Sequence, residues 1–148
     1  MNQAIVTHAR DWIGTRFHHQ GRLKKAPRHK GGVDCLGLLA GVASELGLRG
    51  PDGALLVAKD ETDYSHQPDS ARLRILLSQL LKPIPPQGII PGDVLLLRVD
   101  DSPQHLAIVS DRQDGLGIIH AYAPARAVVE HGLDDFWLER IEAAYRVF

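Results

Sequence analysis

Apolar residues recur at helical spacing from the start of the chain. Ile5, Val6, Ala9, Trp12 and Ile13 predict an opening helix over residues 3 to 13. "GTRFHHQGR" breaks that pattern, and "LKKAPRHKGG" reads as a basic, exposed loop. A second helix is predicted from Cys35 to Leu46. Its apolar face is Leu38, Leu39, Val42, Ala43 and Leu46, and Gly47 is placed to stop it. Residues 50 to 69 are polar, carry Pro51, Gly53 and Pro68, and read as a long connection. "SARLRILLSQLL" predicts a third helix, closed by Pro83, Pro85 and Pro86.

After Pro91 the pattern changes to short apolar runs. "DVLLLRV" follows a Pro-Gly-Asp turn and suits a buried strand; "HLAIVS" and "LGIIHAY" are two more, separated by "DRQDG". "AVVEH" is a fourth and "AYRVF" a fifth, with one helical turn in "LDDFWLERI" before it. Helices first and strands afterwards predict an α+β domain, with the helices packed on an antiparallel sheet of about five strands.

Composition narrows the function classes. The 148 residues suffice for one domain, taken as 1–148. A formal net charge of -1 gives no general attraction to nucleic acid or to a membrane surface. No apolar run approaches the ~20 residues that span a bilayer. The amino terminus lacks a basic start followed by an apolar stretch, so a cytoplasmic site of synthesis without a signal peptide is expected. Cys35 is the only cysteine, which excludes an intrachain disulfide and a multi-cysteine zinc site.

That cysteine lies in "GGVDCLGLLAGVASELG". Asp34 is a favoured N-cap, which puts Cys35 at the first helical position. Amides and the positive dipole end there favour a thiolate, and the Cys35 N–H is a candidate oxyanion donor. A small buried thiol is the alternative. The helix-mouth position, and the scant steric cover of Gly31, Gly32 and Gly37, argue against it.

A nucleophilic cysteine needs a base, and the base needs an orienting partner. Of eight histidines, His8, His29, His66 and His131 sit in helical or polar surroundings and read as solvated surface. His105 and His120 lie on successive predicted strands, 15 residues apart. A hairpin centred between Arg112 and Gln113 sets them directly opposite, about 5 Å apart at Cβ. A one-residue slip separates them onto opposite faces, and Asp114-Gly115 offers a different centre.

"GVDCLGLLAGV", "PGDVLLLRV", "QHLAIVSD" and "IIHAY", in that order, resemble the NlpC family of bacterial cell-wall cysteine peptidases, which have a papain-like core. The resemblance runs from Trp12 to Phe148. The opening "WIGTRFHHQGR" and the end "VVEHGLDDFWLERIEAAYRVF" are most similar to the phage and gene-transfer-particle branch. It implies Cys35 as nucleophile, His105 as general base and then acid, and His120 as the residue orienting His105. It implies a peptidoglycan stem peptide as substrate, cut between D-γ-glutamate and a diamino acid, with no metal and no other cofactor. Association with phage-tail-like proteins, or release to act on the wall, is the location that it implies.

The chain also departs from that family. Phe17 stands where many members carry a tyrosine whose hydroxyl helps the oxyanion site, and Phe17 has no donor; His18 or a backbone N–H is the expected substitute. Leu36 replaces a common serine after the nucleophile. Phe17, His18, Asp34 and Leu36 are therefore the residues expected to touch substrate. The basic segment "LKKAPRHK" is longer than usual and reads as a solvated loop or as a contact to anionic wall polymer. Two other readings stand beside the peptidase: a structural tail or assembly protein with vestigial activity, and an amidase or acyltransferase on the same triad. A zinc hydrolase fits least, because the histidines lack ligand spacing.

Overall fold

A computed structural model describes residues 2–60, 62, 70–99 and 102–148. The first helix, α1 (Asn2–Arg10), buries Ile5, Val6 and Ala9; it ends sooner than the periodicity predicts, and Trp12 packs into the core from the turn that follows. Within the expected basic loop are two short strands, β1 (Arg22–Leu23) and β2 (Gly32–Val33), paired antiparallel. A tight turn at Ala26 and His29 joins them. The basic tip remains exposed, but Lys24 reaches Glu45 at 2.8 Å, which ties the hairpin to the next helix.

That helix, α2 (Cys35–Leu46), has the predicted limits. The Asp34 carboxylate accepts the Gly37 N–H at 2.8 Å, and Gly47 closes the far end in the left-handed region at φ 62°. The helix begins hard against the chain before it: a methyl group at Gly37 would run into the Gly21 carbonyl oxygen. The third helix, α3 (Ser70–Leu80), puts Leu73 and Leu77 into the core. Of the expected connection over 50–69, Leu56–Lys59 forms a 3-10 turn; residues 61 and 63–69, His66 among them, lie outside the described residues.

The sheet has six strands rather than five, ordered β3-β8-β4-β5-β6-β7 and antiparallel throughout. The five expected strands are β4 (Val94–Val99), β5 (Ser102–Arg112), β6 (Gly115–Tyr122), β7 (Ala127–Gly132) and β8 (Ile141–Arg146). The sixth, β3 (Lys82–Ile84), is an edge strand against β8. Pro83 hid it from the sequence, since proline suits an edge, where a missing N–H goes unnoticed. A single turn, α4 (Asp135–Leu138), is capped by Asp134 and buries Trp137.

Side-chain alternation divides the core between the two faces of the sheet. On one face Ile108 and Ile119 meet α1 and α2, while Leu96 and Leu106 meet α3 and the Cys35 end of α2. On the other, Leu95, Leu97, Ala107, Val109 and Ile118 pack under Trp137.

The candidate active site

The hairpin of β5 and β6 is centred between Gln113 and Asp114, since Arg112 pairs with Gly115 and Ile108 with Ile119. Neither centre weighed in the sequence is the one adopted. The shift from the expected centre amounts to two residues in register, so His105 and His120 stay on one face but are diagonal neighbours, not directly opposed. Their rings meet nonetheless, with His105 Nε2 2.6 Å from His120 Nδ1.

Two irregularities make this possible. A β-bulge between β4 and β5 falls immediately before His105, where Leu97 pairs with His105 but Arg98 pairs with Pro103. In addition, the β5–β6 ladder stops at Ile108↔Ile119. Beyond it, His105, Leu106 and Ala107 pair only with β4, while His120, Ala121 and Tyr122 pair only with β7. The sheet is therefore split at this end. The Leu106 amide interacts with the Cys35 thiol, which brings the sulfur to within one residue of His105 along β5. No hydrogen bond joins the thiol to an imidazole among the described residues.

The imidazole series does not end at His120. His120 Nε2 lies 2.8 Å from His131 Nε2, and His131 Nδ1 lies 3.0 Å from the Gly132 carbonyl oxygen. His131 is thus part of the site rather than solvated surface. The β6–β7 register puts it there, since Val129 pairs with His120 and His131 with Ile118. It was missed because "VVEHG" is polar at its end. The other two described histidines of that group do lie at the periphery: His8 pairs with Glu45 at 3.0 Å, and His29 is exposed in its turn. The ring nitrogens of the three site histidines are directed at one another in a line, not at a common point.

Aromatic side chains enclose the series. Trp137 meets His120 edge-on at 5.2 Å and His131 at 5.4 Å, and Tyr122 stacks on His120. His120 is 0% exposed and His105 9%. Burial holds His105 down to about 4. Burial, aided by His105 and His131, holds His120 down to about 2, so both rings are neutral at pH 7.

The thiol departs from expectation. Although Cys35 as a residue is only half-buried, loss of water around the sulfur pushes its pKa up to about 12, and the Asp34 carboxylate adds to this. The amides of Leu106, Leu36 and Cys35 pull the other way and are outweighed. The helix mouth thus carries the expected amides, but also a capping carboxylate that opposes them. The resting pair is therefore a neutral thiol and neutral imidazoles.

Of the four residues expected to touch substrate, Asp34 and Leu36 flank the nucleophile in the chain, and Phe17 and His18 pair with the backbone of Val33. Asp34 is occupied by the fold: one oxygen takes Gly37 N–H and Arg22, the other the Gln20 N–H at 2.9 Å. Phe17 bridges Val33, donates its N–H to the Arg126 carbonyl and is partly buried in the α1–α2 core. His18 is exposed and hydrogen-bonds the His19 carbonyl. Leu36 packs with Leu73, Leu77 and Leu106 and lines an apolar cavity between α2 and α3.

No protein-family model and no curated protein matches the chain. Solved structures do. The NlpC/p60 domain of the peptidoglycan hydrolase SagA aligns over 99% of this chain and 99% of its own, with TM-score 0.64 and 18% identity. An NlpC/P60 family protein from Bacillus cereus aligns over 99% of this chain but 40% of its own length, with TM-score 0.65 and 16% identity. An N-acetylmuramoyl-L-alanine amidase from Bacteroides uniformis aligns over 99% of this chain and 98% of its own, with TM-score 0.57 and 13% identity. The helices, the six-stranded sheet and these alignments agree: this chain has the NlpC/p60 fold.

Proposed function

We propose that the protein is a cysteine hydrolase of peptidoglycan stem peptides, cutting the D-γ-glutamyl–diamino acid bond. The observation that carries this reading is a helix-mouth thiol at the Leu106 amide, one residue along β5 from His105, whose imidazole begins a hydrogen-bonded series. The fold it shares with SagA, a peptidoglycan hydrolase, supports the substrate class.

Because thiol and imidazole both rest neutral, proton transfer accompanies attack. Cys35 Sγ bonds to the amide carbonyl carbon while its proton passes to His105 Nδ1, the nitrogen not bonded to His120. Backbone amides at the helix mouth, which act on the sulfur at rest, would receive the developing oxyanion. The C–N bond breaks as His105 returns the proton to the leaving amine. Water then attacks the thioester, gives its proton to His105, and the departing sulfur recovers it. His120 holds the His105 ring throughout.

A second reading is cleavage of the N-acetylmuramoyl–L-alanine bond, supported by the full-length alignment with the amidase. Mass spectrometry of muropeptides after digestion of purified peptidoglycan separates the two. New amino termini on the diamino acid are expected from the wild-type protein and not from Cys35→Ala. Free L-alanine termini would favour the amidase, and equal products from both proteins would remove Cys35 from the chemistry.

A further inference from the structure

We propose that His131 is a positioning residue that fixes which nitrogen of His105 is the base. The Gly132 carbonyl can only accept. It therefore claims the proton of His131 Nδ1, and an imidazole with one N–H has no second to give. His131 Nε2 is then an acceptor, so the bond at 2.8 Å obliges His120 to donate from Nε2. A neutral His120 has only that proton, so its Nδ1 accepts, and the bond at 2.6 Å obliges His105 to donate from Nε2. His105 Nδ1 is left with a lone pair, the form a general base requires.

The inference does not follow from His120 alone. An isolated imidazole orienting His105 offers both tautomers, and one of them places the proton on the nitrogen that must receive it. Two contacts make His131 a rigid terminus. Glu130, its neighbour on β7, holds Arg10 with two bonds of 3.0 and 2.9 Å, and Trp137 lies over its ring.

The test is nitrogen-15 NMR of histidine tautomers, together with kinetics, on wild type, His131→Phe and His131→Gln. Phenylalanine keeps a flat ring and removes both nitrogens; the glutamine amide can accept from His120 and donate to Gly132. The wild type is expected to show His105 with its proton on Nε2. In His131→Phe the buried His120 Nε2 has no acceptor, so its proton favours Nδ1 and that of His105 is expected to move to Nδ1 in turn, lowering kcat at least tenfold with KM little changed; elsewhere a wrong tautomer costs up to about 10⁴. His131→Gln is expected to restore both. A wild-type proton on His105 Nδ1, or a folded His131→Phe with unchanged tautomer and kcat, would overturn the proposal. If His131→Phe does not fold, the wild-type and His131→Gln spectra still decide. The proposal deepens the hydrolase reading but fails separately from it: a wild type inactive on peptidoglycan would sink that reading and leave the tautomer measurement in force.

Discussion

Tyr122 lies flat on His120, ring centroids 4.9 Å apart and planes within 20°. Trp137 closes the other approach at 85°. His120 is thereby shut off from water, and its two nitrogens have only imidazoles for partners. Removing the indole should cost more than packing. Trp137→Ala is expected to lower stability by about 3–5 kcal/mol, the usual cost of deleting a buried aromatic. Activity should fall beyond what the unfolded fraction explains, because water can then compete for His120. Tyr122→Phe keeps the stacked ring and should leave both unchanged. Chemical denaturation beside turnover of the folded fraction checks this.

Stability should be dome-shaped in pH, with limbs set by the site. His105 is held at about 4 against an ordinary 6.5, so between those values the unfolded chain binds a proton that the folded chain refuses. Stability is thus full above about 6.5 and declines as pH falls toward 4, by about 3 kcal/mol for this ring. Cys35 behaves in the opposite sense. Held at about 12 against 9.0, it keeps a proton that the unfolded chain loses, so stability declines as pH rises above 9. Denaturant titrations at pH 8 and pH 10.5 should show a smaller alkaline loss in Cys35→Ser than in wild type. Equal losses would mean that the thiol is ordinarily solvated.

The carboxylate that caps α2 also opposes ionisation of the residue beside it. Asp34→Asn retains a capping oxygen and removes the charge. The rate of Cys35 alkylation by iodoacetamide should then reach its midpoint at lower pH than in wild type. Stability should fall by about 1–3 kcal/mol, since Arg22 loses the Asp34 carboxylate and the Gln20 N–H faces a donor. A midpoint that does not move would show that burial alone holds the thiol neutral.

Gly37→Ala tests how tightly the nucleophile's helix is seated. The added methyl meets a backbone carbonyl, which cannot swing aside as a side chain would. A loss of about 1–3 kcal/mol is expected by analogy with overpacked cores. Gly53→Ala provides a contrast with open space around it, and any loss there reflects its φ of 80° instead. Thermal unfolding of the two variants distinguishes clash from backbone strain.

Much of this site could be read from the order of residues. The cap at Asp34, the stop at Gly47 and the limits of α2 follow from local rules that act within one or two turns, and the structure keeps them. The meeting of His105 with His120 was visible as a parity, because face is conserved under a two-residue shift; the register itself was not, since Gln113-Asp114 carries no strong turn signal. What escaped was long-range. His131 joins the series only because β7 lies beside β6. The raised thiol depends on how deeply α2 and β5 bury the sulfur, which periodicity along α2 does not express. The basic stretch after Gly21 formed a docked hairpin because Lys24 finds Glu45 across space.

The split between β5 and β6 divides the sheet mechanically. Four strands, β3-β8-β4-β5, form one leaf and two strands, β6-β7, form the other. The leaves are joined like the jaws of a clothes-peg, with the rungs from Ile108↔Ile119 to Arg112↔Gly115 as the spring. His105 rides on one jaw, His120 and His131 on the other. Across the mouth His105 meets His120 through one nitrogen–nitrogen contact and lies 5.9 Å from Tyr122, so flexing of the spring would be felt in the bond that orients His105.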